Sequence, residues 1–451
     1  MTIENPFFHR GPIHDPVYFC DREAEVGRVL KMLTKRQSVS LTGPRKIGKT
    51  SLFLHISRRE VMQQHGLDPA CHLFVYFNCE GLGELNLENL YSLILEEVAD
   101  RADQLGFHIT KPERPVSYLD FRRALRQVAD SNKELRVTLL LDEFESLTSN
   151  PELDRRLFPG LRALAQESII TYLTASQRPL IECSAEYSPF FNILVLFKMG
   201  LFDESESREL MERSLSKAET SFPSEVLDGI LELGGRHPFF LQVVAYSALE
   251  LQRVKGTPLD SQDLHILTQA VRSQVEPHFD YYWKHLTPQE QYVLAALPVT
   301  QSDEVHREQL EVLTDLCLIA KEGENGGYSY FSPLFRDFVR RQKAPDVLQA
   351  DPFVLVLPLK GALLREKPLP LNPRLFALLS YLMDHPGRVV SNEELDREVL
   401  APSEERQQYQ YIGDDRLKST IKELRRALGE EADRIVSKWG VGYTLEIRPE
   451  E

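Results

Sequence analysis

The chain of 451 residues is 42% hydrophobic and 27% charged, the balance of an ordinary globular protein with room for about three domains. Its net charge of −15, from 53 Lys and Arg against 68 Asp and Glu, excludes indiscriminate coating of nucleic acid, so any DNA contact must be local. Neither the spacing of Cys20, Cys71, Cys79, Cys183 and Cys317 nor any apolar run suggests a disulfide framework, a zinc site, a signal peptide or a membrane span, and a cytoplasmic protein with reduced thiols and no membrane partner is expected.

Tyr18-Phe19-Cys20-Asp21-Arg22-Glu23 precedes a helix that Asp21 would cap, with Val26, Val29, Leu30 and Leu33 at helical spacing. Gln37 to Leu41 then reads as a short buried strand and Thr50 to Arg58 as a helix. Between them stands Gly43-Pro44-Arg45-Lys46-Ile47-Gly48-Lys49-Thr50, a complete G-x-x-x-x-G-K-[ST] phosphate loop, followed by Ser51. In this strand–loop–helix setting the backbone N–H groups and the positive end of the helix converge on a β-phosphate. Lys49 reaches the β- and γ-oxygens and Thr50 is left to ligate Mg²⁺. Gly43 and Gly48 let the backbone approach the phosphates with no Cβ in the way.

His72 to Asn78 is a strand-forming run, Leu87 to Leu105 a long amphipathic helix and Phe121 to Ala129 another helix, continuing the alternation expected of a parallel sheet. The run from Arg136 to Leu141 is a buried strand that ends in adjacent carboxylates, Asp142 and Glu143. Such a pair is expensive unless something cationic waits at the strand's tip, and Mg²⁺-nucleotide is the natural partner. A further strand, Ser168 to Pro179, ends in Thr174, Ser176 and Arg178.

These elements resemble the AAA+ and STAND branch of phosphate-loop ATPases. The segment with Phe19, Arg22 and Glu25 is similar to the F-x-x-R-x-x-E lead-in that lies near the adenine, and Val137 to Glu143 matches the Walker B pattern about ninety residues after the loop. The resemblance implies ATP and Mg²⁺ as ligands, Asp142 in the metal shell, and Glu143 orienting or deprotonating the attacking water. Thr174, Ser176 and Arg178 all fit the sensor 1 position; an arginine there neutralises developing charge, which sets Arg178 beside Lys49, Asp142 and Glu143 as catalytic candidates. Arg155, Arg156 and Arg162 follow Walker B and are candidates for a finger supplied to a neighbouring subunit of a homo-oligomer, but surface arginines on a helix are ordinarily just solvated, and no finger is assigned. Leu201 to Leu215 opens a helical lid, within which Leu233-Gly234-Gly235-Arg236-His237-Pro238-Phe239-Phe240-Leu241-Gln242 resembles the element of STAND ATPases whose proline-bearing turn faces the nucleotide. His237 and Pro238 join the nucleotide-binding candidates on that ground.

From Pro277 the pattern changes. Thr287-Pro288-Gln289-Glu290 is a capping box with proline at the first helical position, leading a helix to Leu297. Leu310 to Ile319 reads as a second helix and Ala320 to Phe331 as a Gly/Asn hairpin, together an internal winged helix of the kind STAND ATPases carry beside the lid. Arg340 to Pro345 is a linker.

Pro352 to Pro370 alternates like a small antiparallel sheet. With Leu371 to Leu379, His385 to Leu395, Leu417 to Leu428 and the hairpin Gly440-Val441-Gly442-Tyr443, it resembles the C-terminal winged helix of OmpR/PhoB-type response regulators. Leu417, Ile421, Leu424 and Leu428 share one face of the helix Asp415 to Leu428, leaving Ser419, Lys422, Glu423 and Arg426 opposite and Arg416 at the flank. With Lys438, these are the DNA-binding candidates. Trp439 stands where the family has an arginine, left to pack against sugar or to cap the domain's core. Residues 348–451 hold 15 Lys and Arg against 18 Asp and Glu, a net of −3, which leaves a protein-binding role open for this domain. The expected architecture is α/β: a parallel-sheet phosphate-loop ATPase core (1–200), a helical lid (201–276), and two winged helices (277–345 and 348–451). The expected function is an ATP-binding and hydrolysing switch that controls binding to double-stranded DNA. The alternatives are a DNA-loading or transposition-type AAA+ ATPase and a signalling scaffold whose winged helices bind protein.

Overall fold

A computed structural model describes residues 5–7, 11–20, 22–82, 85–109, 115–131, 135–148, 150, 153, 156–180, 188–297, 306–322, 327–344, 347–350, 352–357, 360–365, 367–401 and 415–446. They form two compact units, Met1–Val271 with Asp315–Cys317, and Arg272–Thr314 with Leu318–Glu451. Asp21, Arg155, Cys183, the hairpin tip 323–326 and Pro345 lie outside the described residues. No helix among the described residues is long and apolar enough to cross a membrane.

The first unit is built on a five-stranded sheet of β1 (Ser38–Thr42), β2 (His72–Asn78), β3 (Arg136–Asp142), β4 (Ile170–Ser176) and β5 (Leu194–Lys198), in the order β2-β3-β4-β1-β5. All four pairings are parallel. Alternate residues of each strand point to opposite faces, and both faces are covered. Leu139 and Leu141 join one apolar cluster with Val75, Phe77, Tyr172 and the helix Leu87–Gln104; Leu140 joins the other with Val39, Leu41, Leu173 and Phe53. The register sets Thr42 beside Ser176, Leu141 beside Thr174 and Asn78 beside Asp142, so the carboxyl ends of β1, β3 and β4 come level. Open parallel sheets bind ligands at that edge.

β5 has no counterpart in the sequence reading. As the strand beyond β1 it leaves Val195 and Leu196 exposed, whereas β1 and β4 are buried along their whole length. Helices from Glu204–Lys217, Ser224–Gly234 and Pro238–Lys255 follow. Asp203 and Glu206 form a capping box on the first, and Gly235 closes the second in the left-handed conformation at φ 61°.

The helix Asp263–Lys284 runs unbroken through Pro277, so the domain boundary expected there falls inside an element. A proline within a helix costs one backbone hydrogen bond and bends it, and the packing of Phe279 on Phe331, Phe335 and Phe338, with ring centroids 6.1, 5.2 and 5.7 Å away, holds the following turns helical. In the second unit Thr287 and Glu290 form the expected capping box on Pro288–Ala295. The next helix, Arg307–Asp315, is shorter than its apolar pattern implied. Cys317 takes a left-handed φ of 56°, and Ile319 begins β6 (Ile319–Lys321), which pairs with β7 (Tyr328–Tyr330) before a short helix Pro333–Val339.

The chain then forms an antiparallel sheet of β8 (Val347–Ala350), β9 (Phe353–Val356), β10 (Gly361–Leu364) and β11 (Lys367–Pro368). Helices Pro373–Asp384, Asn392–Leu395 and Asp415–Leu428 follow. The wing is a sheet of β12 (Val390–Ser391), β13 (Ile435–Lys438) and β14 (Gly442–Leu445), with β14 in the centre. One core unites Phe353, Leu355, Phe376, Leu379, Leu417, Ile421, Leu424 and Tyr443. Gly442 is obligatory here, since a Cβ on it would lie 1.8 Å from the carbonyl oxygen of Val390. Gly442→Ala is expected to cost about 3 kcal/mol locally, read as faster amide hydrogen exchange across β12, β13 and β14; unchanged protection there would refute the close packing.

Candidate functional site

The loop after β1 and the first turn of the helix Lys49–Ile56 form the floor of a cavity within the first unit. Gly43 admits no side chain, because a Cβ would stand 2.6 Å from the carbonyl oxygen of Met199, and Gly48 caps the helix at φ 108°. Arg45, Lys46, Ile47, Gly48, Lys49, Thr50 and Ser51 line the cavity. Gly43 and Pro44 do not; their carbonyls accept hydrogen bonds from Lys49 Nζ at 2.7 and 3.1 Å. Burial pushes the Lys49 ammonium below its usual range, against the pull of Glu143, Glu145 and Asp142.

Asp142 is 2% exposed and accepts three hydrogen bonds: from Thr50 Oγ1 at 2.6 Å, from the Tyr76 hydroxyl at 3.2 Å and from the Glu143 N–H at 3.1 Å. Thr50 and Asp142 thus present a hydroxyl and a carboxylate side by side. Mg²⁺ is ordinarily held by one or two such groups together with substrate phosphates, so this donor set fits the ion. Glu143 takes a left-handed φ of 50°, an unfavourable backbone for a non-glycine residue, and lines the cavity. Burial raises its carboxyl above the usual range, with Lys49 pulling the other way.

The remaining walls come from Gly11, Pro12, Ile13, Tyr18, Phe19, Cys20 and Arg22 ahead of β1, and from Phe202, Leu210, Pro238, Phe239 and Gln242 after β5. Phe19 is stacked on His55 of the loop helix at 3.8 Å, and burial with Arg58 and His65 nearby lowers that imidazole to about 4. Arg22 is buried, donating to the Gly200 carbonyl at 2.6 Å and Glu25 at 3.3 Å, with its guanidinium 4.7 Å from the Phe202 ring centroid. Lys46 Nζ lies 5.6 Å from the centroid of Phe239, joining the phosphate loop to the first turn of Pro238–Lys255.

Two sequence candidates are placed differently. Pro238 lines the cavity, whereas His237 is turned away from it: 1% exposed, it caps the helix by accepting from the Phe239 N–H at 3.3 Å and packs on Phe240. A histidine ahead of a helical proline is a fit N-cap, and that local role accounts for it. Arg178 is also not among the lining residues; Ser176 Oγ donates to its carbonyl at 2.7 Å, folding the end of β4 back on itself. Three residues were missed. Tyr76 buttresses Asp142, Glu145 accepts from the Gln177 N–H at 3.0 Å, and Gln242 enters the wall from the helix Pro238–Lys255. Gln242 closes the run Leu233 to Gln242 that the resemblance picked out, though no role was given to it, and Glu145 stands in the run Asp142-Glu143-Phe144-Glu145; Tyr76 left no trace in the sequence.

In the C-terminal helix, Leu417, Thr420, Ile421, Leu424 and Leu428 are buried, and Arg416, Ser419, Lys422 and Arg426 are exposed. Arg416 bonds the Leu400 carbonyl, and Glu423 is paired with Arg374 at 3.1 Å, so these two serve the domain's own structure. Arg425 donates to the Ile435 carbonyl at 2.6 Å, tying helix to wing. Lys438 is exposed and Trp439 is 98% exposed, which removes the reading that Trp439 caps the core.

Comparison with known proteins places both halves. The family described as Novel STAND NTPase 2 matches residues 35–303, more than half of the chain. The chain belongs to that family. Within this STAND NTPase, residues 366–445 match the family described as "Transcriptional regulatory protein, C terminal". The uncharacterized transcriptional regulatory protein YclJ of Bacillus subtilis is 32% identical over 131 residues, covering 26% of this chain and 55% of that protein. The transcriptional regulatory protein ResD of the same organism is 38% identical over 85 residues, 18% of this chain and 32% of that protein. The STAND NTPase therefore spans about half and a third of the lengths of these relatives. Among solved structures, the Walker-type ATPase PABY2304 of Pyrococcus abyssi aligns with a TM-score of 0.53 and 16% identity, covering 74% of this chain and 99% of that one, a likeness of fold.

Proposed function

We propose that the chain is an ATP-dependent switch that governs DNA binding by its C-terminal winged helix, most simply a transcription regulator. The supporting observation is that one chain joins a lysine, a hydroxyl and two carboxylates around a phosphate loop to a segment of the transcriptional-regulator type. In this reading residues 1–200 are the ATPase core, 201–276 the lid, 277–345 an internal winged helix and 348–451 the DNA-binding domain of a cytoplasmic protein. Lys49 and the loop N–H groups hold the phosphates, and Thr50 and Asp142 hold Mg²⁺, which when bound neutralises charge on the phosphate oxygens. Glu143 orients the attacking water and accepts its proton. Pro238 and Phe239, in the wall of the same cavity, give the lid a stake in what the loop holds, so that ATP and ADP favour different lid populations.

Ser419, Lys422, Arg426 and Lys438, all exposed, are the DNA contacts of this proposal, with Trp439 laid on the sugar-phosphate backbone. The test is binding of the full-length chain to double-stranded DNA across a salt series, with ATP and with ADP. Binding is expected to weaken steeply with salt and to differ between the nucleotides. Lys422→Ala and Arg426→Ala should each lower the log–log salt slope by about 1 if they meet phosphates. Absence of salt-sensitive DNA binding under either nucleotide would overturn the DNA-binding reading and favour a protein partner.

A further inference from the structure

We propose that Gln242 determines the base specificity of the cavity, selecting adenine by pairing its side-chain amide with the base's N6 amine and N7. The inference rests on the reading of the cavity as a nucleoside triphosphate site. Pro238, Phe239 and Gln242 open the helix Pro238–Lys255 and all three line the cavity. Their spacing puts them on one side of the helix, with Gln242 a turn, about 6 Å, beyond Pro238. Phe239 marks the phosphate side, since Lys46 of the loop lies 5.6 Å from its ring centroid. Away from the loop the lining is mostly apolar and aromatic, with Ile13, Tyr18, Phe19 and Leu210, as suits a planar base, and Gln242 brings the only amide side chain among the lining residues.

Gln242 is 8% exposed, and its Oε1 is enclosed without a hydrogen-bond partner among the described residues. Side-chain carbonyls buried to this degree are ordinarily satisfied, and a ligand N–H supplies the missing donor. An amide offers one acceptor beside one donor. Adenine offers the complement, its N6 amine beside N7, whereas the same edge of guanine presents O6 and N7, two acceptors. Turning the amide over does not help guanine, because Oε1 then faces the other acceptor.

The test is equilibrium binding of ATP, GTP and purine riboside triphosphate, which has hydrogen in place of the 6-amine, to the full-length chain by titration calorimetry. ATP is expected to bind at least roughly tenfold more tightly than either analogue. Gln242→Leu, of similar volume, should bring ATP down to the level of GTP and leave GTP unchanged, with the unliganded melting curve reporting that the variant is folded. If that variant does not fold, the native chain still decides: equal affinity for ATP and purine riboside triphosphate overturns the proposal. ATP binding that depends on Lys49, with the same ATP-to-GTP ratio in Gln242→Leu as in the native chain, overturns the role of Gln242 alone. A native chain that binds no triphosphate overturns the reading of the cavity itself.

Discussion

Glu143→Gln is expected to lower ATP turnover by roughly 10²–10⁴-fold while leaving the affinity for ATP close to native, the range ascribed to removing a positioned general base. The two carboxylates at the end of β3 are not equivalent. Asp142 is enclosed by three donors, Thr50 among them, so its oxygens are already engaged. Glu143 lines the cavity from a left-handed backbone that a non-glycine residue adopts only when its surroundings impose it. Burial raises its carboxyl, which makes the carboxylate a stronger base, with Lys49 pulling the other way. Glutamine preserves volume and hydrogen bonding but cannot take a proton. Phosphate release under saturating ATP, set beside an equilibrium titration of the same variant, separates the two effects; native turnover in Glu143→Gln would remove Glu143 from the chemistry.

The parts of this site that lie within one segment were legible. Gly43 to Thr50 and Asp142-Glu143 each combine a turn or strand end with its functional side chains, so spacing alone locates them, and the sheet register then brings them level. The capping box at Thr287 and Glu290 was readable for the same reason. What was not legible depends on which face a distant helix turns inward. The start of Pro238–Lys255 brings together His237, at the N-cap, Pro238 and Gln242 within six residues; resemblance gave a role to the first two, yet His237 caps the helix and Gln242 lines the cavity. Tyr76 was hidden in an ordinary strand pattern, because its link to Asp142 depends on β2 lying beside β3. The apolar run Leu194 to Phe197 of β5 was passed over although its residue types favour a strand, and the boundary was set at Pro277 because the pattern changes there, whereas the helix continues through it with Phe279 packed on Phe335.

Lys49→Ala is expected to weaken ATP binding by at least about a hundredfold and, in the same step, to erase any difference that ATP makes to DNA occupancy. Lys49 Nζ is buried against the loop carbonyls of Gly43 and Pro44, and burial lowers the ammonium against the pull of neighbouring carboxylates. An incoming triphosphate offers it charge-assisted bonds stronger than those to neutral carbonyls, each worth about 1.5–3 kcal/mol, and losing two of them accounts for the expected loss. Alanine also removes a cation that interacts with Glu143, Glu145 and Asp142, which makes the cavity still less hospitable to an anion. The second half of the prediction is the demanding one. A ligand shifts an equilibrium only by its differential affinity for two states, so a chain that no longer holds ATP must show one DNA affinity whether ATP is present or absent. Calorimetry of ATP binding and DNA footprinting of the same preparation measure both. Lost ATP binding alongside a persisting ATP effect on DNA would mean that the nucleotide acts elsewhere than in this cavity.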